Sequence, residues 1–152
     1  MLKKDTFALR PPMGWNSWDC YGAAVNEAQV RSNAEYMAEH LKDCGWEYVV
    51  VDIQWYQPTA DSHEYKPFSD VCMDAYGRLL PAENRFPSAA GGEGFRPLAD
   101  YIHSLGLKFG LWIAPEVVGL KSNMLEYYDD SCFVMRDGKK IRNFVEYLLD
   151  FR

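Results

Sequence analysis

Two carboxylates in this chain stand where an α/β protein tends to place its chemistry. Asp52 closes the apolar run Tyr48, Val49, Val50 and Val51, and Glu116 follows the run Leu107 to Ile113 after Ala114 and Pro115. A carboxylate ending a buried strand is costly to desolvate unless a partner or a ligand satisfies it, so Asp52 reads as a hydrogen-bond acceptor in a site. Upstream, Trp15, Asn16, Ser17, Trp18, Asp19 and Cys20 set two indole rings directly among polar side chains. Rigid amphipathic rings of this kind suit sugars and other flat-faced ligands. Trp55 and Tyr56 follow Asp52 closely and suit either a pocket edge or loop packing. Glu116 and Asp150 are the carboxylates that could divide acid and base work, although ion pairs or solvated loop ends account for them as well. His40, His63 and His103 have no matching partner in the sequence and read as surface or packing residues.

The elements that must hold these groups follow from periodicity. Pro11 and Pro12 give an extended entry, and residues 13–18 form a short strand or strand end. Asn26 is a helix N-cap with Gln29 as its capping-box partner. The apolar stripe Val30, Ala34, Met37, Leu41 and Cys44 then runs to a stop at Gly45. Residues 46–56 hold a strand buried on both faces. A long loop extends from Gln57 to Gly94, rich in proline and ending in Gly91 and Gly92. A second helix carries Pro97 near its first turn, the stripe Leu98, Tyr101, Ile102 and Leu105, and Gly106 at its end. Residues 107–113 form a third buried strand. Beyond it the pattern gives a short helix near Leu125, a hairpin turned at Asp137 and Gly138, and an apolar run from Val145 to Phe151. Strand, helix, strand, helix, strand is an α/β order with a parallel sheet, which fits an open doubly wound sheet or part of a (β/α)8 barrel.

Composition excludes several function classes. The 152 residues are 48% hydrophobic and 25% charged, the balance of one globular domain, with a high 15% of aromatics. The formal charge of -6 gives no support for a phosphate-tracking surface, so no nucleic-acid partner is expected. The short run Lys139, Lys140 and Arg142 reads as a solvated strand end. No segment reaches the roughly 18 consecutive apolar residues of a membrane span, and residues 1–10 form a polar leader without the apolar core of a secretory signal. These features give the expectation of a cytoplasmic protein with no membrane partner. Cys20, Cys44, Cys72 and Cys132 are too widely spaced for a zinc site and are read as free thiols.

Four segments in order, MGWNSWDCYG, VVVDIQWY, DAYGRLLPAENRFPS and LADYIHSLGLKFGLWIAPE, resemble the N-terminal half of alpha-galactosidases of glycoside hydrolase family 27, with its relative family 36. The resemblance covers about residues 11–116. It implies that residues 11–152 are the N-terminal portion of a (β/α)8 TIM barrel, about three strands and two to three helices. It also implies retaining hydrolysis of terminal alpha-linked galactose by two carboxylates about 5 to 5.5 Å apart, with no metal and no cofactor. By this resemblance Trp18 lines the sugar pocket and Asp52 accepts hydrogen bonds from sugar hydroxyls. Trp112 stands where family 27 carries a tyrosine, and with Pro115 and Glu116 it matches family 36 better. Trp15 and Asn16 are assigned to the scaffold. Residues 76–79 match the family's Asp-Gly-Arg-Leu turn with tyrosine in place of aspartate, and Glu35 and Asp100 are placed on solvated helix faces.

The departures are specific. Ile53 replaces the second aspartate of the family's Asp-Asp pair, which opens other specificities such as N-acetylgalactosaminide or beta-arabinopyranoside. The family's nucleophile lies in a Lys-Trp-Asp or Lys-Tyr-Asp context on the fourth strand and its acid/base on the sixth. Neither motif occurs here, so no catalytic residue is assigned and the chain alone is expected to be inactive. A non-catalytic carbohydrate-binding segment or a structural fragment are the rival readings. A whole barrel takes about 250 residues. Three strands without the rest leave an open sheet edge and an uncovered inner face. The 152-residue chain is therefore expected to self-associate on size-exclusion chromatography with light scattering, and a compact, stable monomer would contradict this.

Overall fold

A computed structural model describes residues 11–61, 63, 69–113, 117–119, 125–126, 128–143 and 146–148. Its central helix starts where the capping box predicts. Asn26 Oδ1 accepts the Gln29 backbone N–H at 3.0 Å, and Gln29 Oε1 accepts the Asn26 N–H at 3.0 Å. The helix that follows, α2 (Glu27–His40), buries Val30, Ala34 and Met37. Cys44 does not continue this stripe as expected. The helix ends at His40, Lys42–Cys44 form a separate 3-10 turn, and Cys44 is exposed. Gly45 closes that turn at φ 91°, a conformation that favours glycine.

The strands β1 (Gly14–Asn16), β2 (Tyr48–Val51) and β3 (Lys108–Leu111) form one parallel sheet in the order β1-β2-β3. Helix α2 links the first pair, and α3 (Arg96–Ser104) links the second. A four-residue helix, α1 (Trp18–Tyr21), follows β1 directly. This βαβαβ succession is the repeating unit of a (β/α)8 barrel, as the element order predicts. Gly14 fixes the closest approach in the sheet, because a Cβ there would lie 2.1 Å from the Tyr48 carbonyl oxygen. No other residue fits against β2 at that point.

The core lies between the sheet and the two long helices. Val49 and Val51 pack against Val30, Ala34 and Met37 of α2 and against Leu98 and Ile102 of α3. Two expectations about the strands are corrected here. Burial in β2 alternates, with Val49 and Val51 inside and Tyr48 and Val50 half-buried, because only one sheet face meets helices among the described residues. Strand β3 is also not fully buried. It pairs on one side only in this sheet, and Leu111 and Ile113 are 37% and 63% exposed.

Beyond β3 the described pairs are antiparallel. Strand β4 (Val117–Gly119) pairs with β8 (Glu146–Leu148), and β8 pairs with β7 (Arg142–Asn143). The expected hairpin joins β5 (Met135–Arg136) to β6 (Lys139–Lys140), and Asp137 and Gly138 turn it at φ 51° and 71°. Lys140 is more than a solvated strand end, since its ammonium sits 2.9 Å from Asp130 and over the Phe133 ring. The leader, Glu116 and Asp150 lie outside the described residues. Among the described residues no helix is long and apolar enough to cross a membrane.

One buried acid ties the start of α2 to the loop ahead of α3. Glu27 Oε2 accepts the Ser88 N–H at 2.9 Å, Glu27 Oε1 pairs with Arg31, and the Glu27 N–H donates to the Arg85 carbonyl at 2.8 Å. Burial acts to raise the Glu27 carboxyl, but hydrogen bonds from Ser88 and Arg31 outweigh it and hold it below its usual value of 4.5. The stability that Glu27 contributes is therefore fully present above that usual value and is lost as pH falls through the lower, folded one. Replacing Glu27 by Gln should flatten the fall in melting temperature between about pH 5 and pH 3. Identical pH profiles for the two proteins would refute this role.

Candidate functional site

The parallel register builds the site. Asn16, Val50 and Gly110 are cross-strand partners, and strand alternation returns the same face two residues later at Asp52 and Trp112. These positions lie at the C-terminal ends of β2 and β3, the end at which barrel enzymes assemble their sites. Asp52 is only 9% exposed. Its Oδ2 accepts a hydrogen bond from Asn16 Nδ2 at 2.6 Å, its Oδ1 accepts the Ile53 N–H at 2.6 Å, and its own N–H donates to Ser17 Oγ at 2.9 Å. A carboxylate has about four lone-pair sites, so each oxygen keeps acceptor capacity for a ligand hydroxyl.

Trp18 opens α1 and is half-buried, with its backbone N–H donating to Asn16 Oδ1 at 2.8 Å. Asn16 thus joins Asp52 and Trp18 through one carboxamide. The His63 ring meets Trp18 edge to face at 5.4 Å, and its Nε2 lies 3.1 Å from the Trp18 carbonyl oxygen. His63 therefore packs over this corner. Trp112 is half-buried and is held through its backbone: its N–H donates to the Val51 carbonyl at 3.0 Å, and its carbonyl accepts Trp55 Nε1 at 2.9 Å. The structure thus links Trp18 to Asp52 through Asn16, and ties Trp112 to the residue that precedes Asp52.

The remaining candidates divide cleanly. Trp55 is a core residue, 5% exposed and stacked edge to face on Tyr56 and Phe95. Trp15 packs against the core and against Tyr21, in keeping with its scaffold assignment. In residues 74–78 Asp74 organises the turn, accepting the N–H groups of Tyr76 and Arg78 and the Arg78 Nε, and Met73 bridges to Leu79. Glu35 is exposed, yet it accepts a hydrogen bond from the Tyr101 hydroxyl and so joins α2 to α3. Among the described residues no group of three His, Cys, Asp or Glu side chains could hold a metal ion.

Two side chains that support this geometry carry no local signal in the sequence. Asn16 was assigned to the scaffold. The signal that points elsewhere is its position, a carboxamide at the end of a strand whose parallel neighbour ends in a carboxylate. The second is Arg85, 7% exposed, whose guanidinium donates to the carbonyls of Gln54 at 2.7 Å, Gln57 at 3.0 Å, Val25 at 2.6 Å and Ala23. Burial pushes Arg85 down to about 10, so it stays charged near neutral pH. Gln54 holds a left-handed backbone at φ 63°, rare for a residue with a side chain, two positions after Asp52. Arg85 and the Gln57 N–H both bind the Gln54 carbonyl and hold that conformation in place.

The comparisons with known proteins bear on this geometry. A family model described as Melibiase matches residues 1–152. The chain belongs to the melibiase family. It is 37% identical over 112 residues to an alpha-galactosidase of Cyamopsis tetragonoloba, a match covering 73% of this chain and 23% of that one. A crystal structure of a family 27 β-L-arabinopyranosidase from Geobacillus stearothermophilus, in complex with arabinose, is 66% identical. It superposes with a TM-score of 0.72 over 74% of this chain and 26% of that one. A family 36 alpha-galactosidase from the same species shares the fold at 24% identity, with a TM-score of 0.66 over 93% of this chain and 17% of that one. The family 36 likeness is one of fold. The chain spans about a quarter of the length of the family 27 relatives it matches.

The Arg85 network yields a stability prediction. Arg85→Met removes the donors from four carbonyl oxygens at once and should destabilise the fold by about 3 kcal/mol or more in chemical denaturation. Arg85→Lys should recover only part of this, because an ammonium cannot span both loops. A Met variant as stable as the wild type would contradict the assignment.

Proposed function

We propose that this segment supplies the sugar-holding wall of a retaining glycosidase whose preferred substrate is a terminal β-L-arabinopyranoside, with terminal α-galactosides as the second reading. The carrying observation is Ile53, an apolar and buried residue beside Asp52 where the family resemblance calls for a second aspartate. β-L-Arabinopyranose has the ring-hydroxyl configuration of α-D-galactopyranose but lacks the exocyclic CH2OH. A site that keeps one carboxylate for the ring hydroxyls and loses the second retains the partner for what the two sugars share. It gives up a partner that the extra hydroxyl would use, and burying that hydroxyl against an alkyl chain without a hydrogen bond is unfavourable. The likeness to a structure that binds arabinose supports the same reading. The alpha-galactosidases among the relatives support the second.

In this reading Asp52 accepts hydrogen bonds from ring hydroxyls, while Trp18 and Trp112 offer aromatic walls to the apolar face of the sugar. The nucleophile and the acid/base are assigned to no residue of this segment. The retaining reaction would run on a carboxylate pair supplied by the remainder of the full-length protein, one attacking the anomeric carbon and the other passing the proton. The test is hydrolysis of aryl β-L-arabinopyranoside and aryl α-galactopyranoside by the full-length protein. The arabinopyranoside should have the higher kcat/KM, and Asp52→Ala should lower kcat/KM on both by about a hundred-fold, the loss of hydrogen bonds to a charged acceptor. A higher kcat/KM on the galactoside selects the second reading. Unchanged activity in Asp52→Ala removes Asp52 from the site.

A further inference from the structure

We propose that Asn16 is a positioning residue that sets the sugar-facing geometry of Asp52 and Trp18 together, an inference that rests on the reading of Asp52 as a sugar ligand. Its carboxamide is used at both ends. Nδ2 donates to Asp52 Oδ2 at 2.6 Å while Oδ1 accepts the Trp18 backbone N–H at 2.8 Å. A carboxamide is the side chain of this length that offers a donor and an acceptor in one plane. The two contacts have different consequences. The first fixes the rotation of the carboxylate and leaves its remaining lone pairs in one orientation. The second sets where α1 begins, and hence where the Trp18 ring stands.

The neighbouring contacts leave this task to Asn16. Ser17 Oγ and the Ile53 N–H engage the Asp52 backbone and Oδ1, so among the side-chain bonds described here the one to Oδ2 is Asn16's. Among the described residues the titratable and charged groups on the surrounding elements include Asp19, Cys20 and Tyr21 on α1, His63 against the Trp18 ring, and Arg85 beneath the Gln54 carbonyl. Without the Asn16 donor, Asp52 Oδ2 would lose the side-chain partner described for it, and a sugar would have to reorder the carboxylate on binding.

Two variants separate positioning from mere packing. Asn16→Asp keeps the acceptor for the Trp18 N–H but replaces the donor with a second carboxylate. At neutral pH the KM of the full-length protein for the aryl glycoside should rise about ten-fold or more, with kcat little changed. As the pH is lowered, a proton shared by the two carboxylates restores a donor, and the KM ratio of variant to wild type should narrow. Asn16→Ala should raise KM without that recovery. The Trp18 amide provides a readout independent of activity: its NMR resonance should move upfield in Asn16→Ala, where the acceptor is lost, and should not do so in Asn16→Asp, where a carboxylate oxygen still accepts it. An unchanged KM in both variants while Asp52→Ala is impaired, a loss in Asn16→Asp equal at every pH, or an unmoved Trp18 amide in Asn16→Ala would overturn the proposal. Full activity in Asp52→Ala would instead overturn the sugar-binding reading on which it rests.

Discussion

A single buried guanidinium holds together the loops on which the site depends. Arg85 draws carbonyls from the segment after β1 and from the segment after β2 onto one planar cation, with no carboxylate among its hydrogen-bond partners in the described residues. Carbonyl dipoles compensate the charge without neutralising it, and they do so only when several backbone segments converge. The arrangement therefore specifies geometry as much as it adds stability. Residues 23–25 and 54–57 have one way to satisfy Arg85, and that way leaves Asp52 and Gln54 where the site needs them.

The sheet divides its labour by parity. Val49 and Val51 face the helices and make the core, while Asn16, Val50 and Gly110 share the other face and lead to Asp52 and Trp112. The close contact of Gly14 with Tyr48 fixes the spacing between β1 and β2. That spacing sets the distance over which Asn16 can reach Asp52. Core packing and site geometry are thus two readouts of the same register, and a slip by one residue would exchange them.

Much of this was legible in the residues. The capping box at Asn26, the proline start of α3 and the turn at Asp137 and Gly138 are all local signals, and each appears where local chemistry places it, whereas the helix expected to run to Gly45 ends at His40. The parallel order followed from alternating apolar strands and amphipathic helices. What escaped was long-range. Continuous hydrophobicity in β2 suggested burial on both faces, but burial depends on what lies across each face. Asn16 and Arg85 carry no periodic signature, because Asp52 lies 36 positions from Asn16 and the Arg85 carbonyl partners lie 28 to 62 positions away. Asp52 was legible because a charge at the end of an apolar strand is anomalous on local grounds alone. An asparagine or an arginine in a loop is not.

The clamp at Asn16 also has a kinetic meaning. Its partners among the described residues are Trp18 and Asp52, so these two bonds need only the first strand, the α2 crossover and the second strand to be in place. The contact with Asp52 closes a loop of 36 residues across a parallel crossover, so it forms with the pairing of the two strands and not before it. The link between Asn16 and Asp52 can be complete while the third strand is still leaving the ribosome, and Trp112 and later elements then dock against a carboxylate already held.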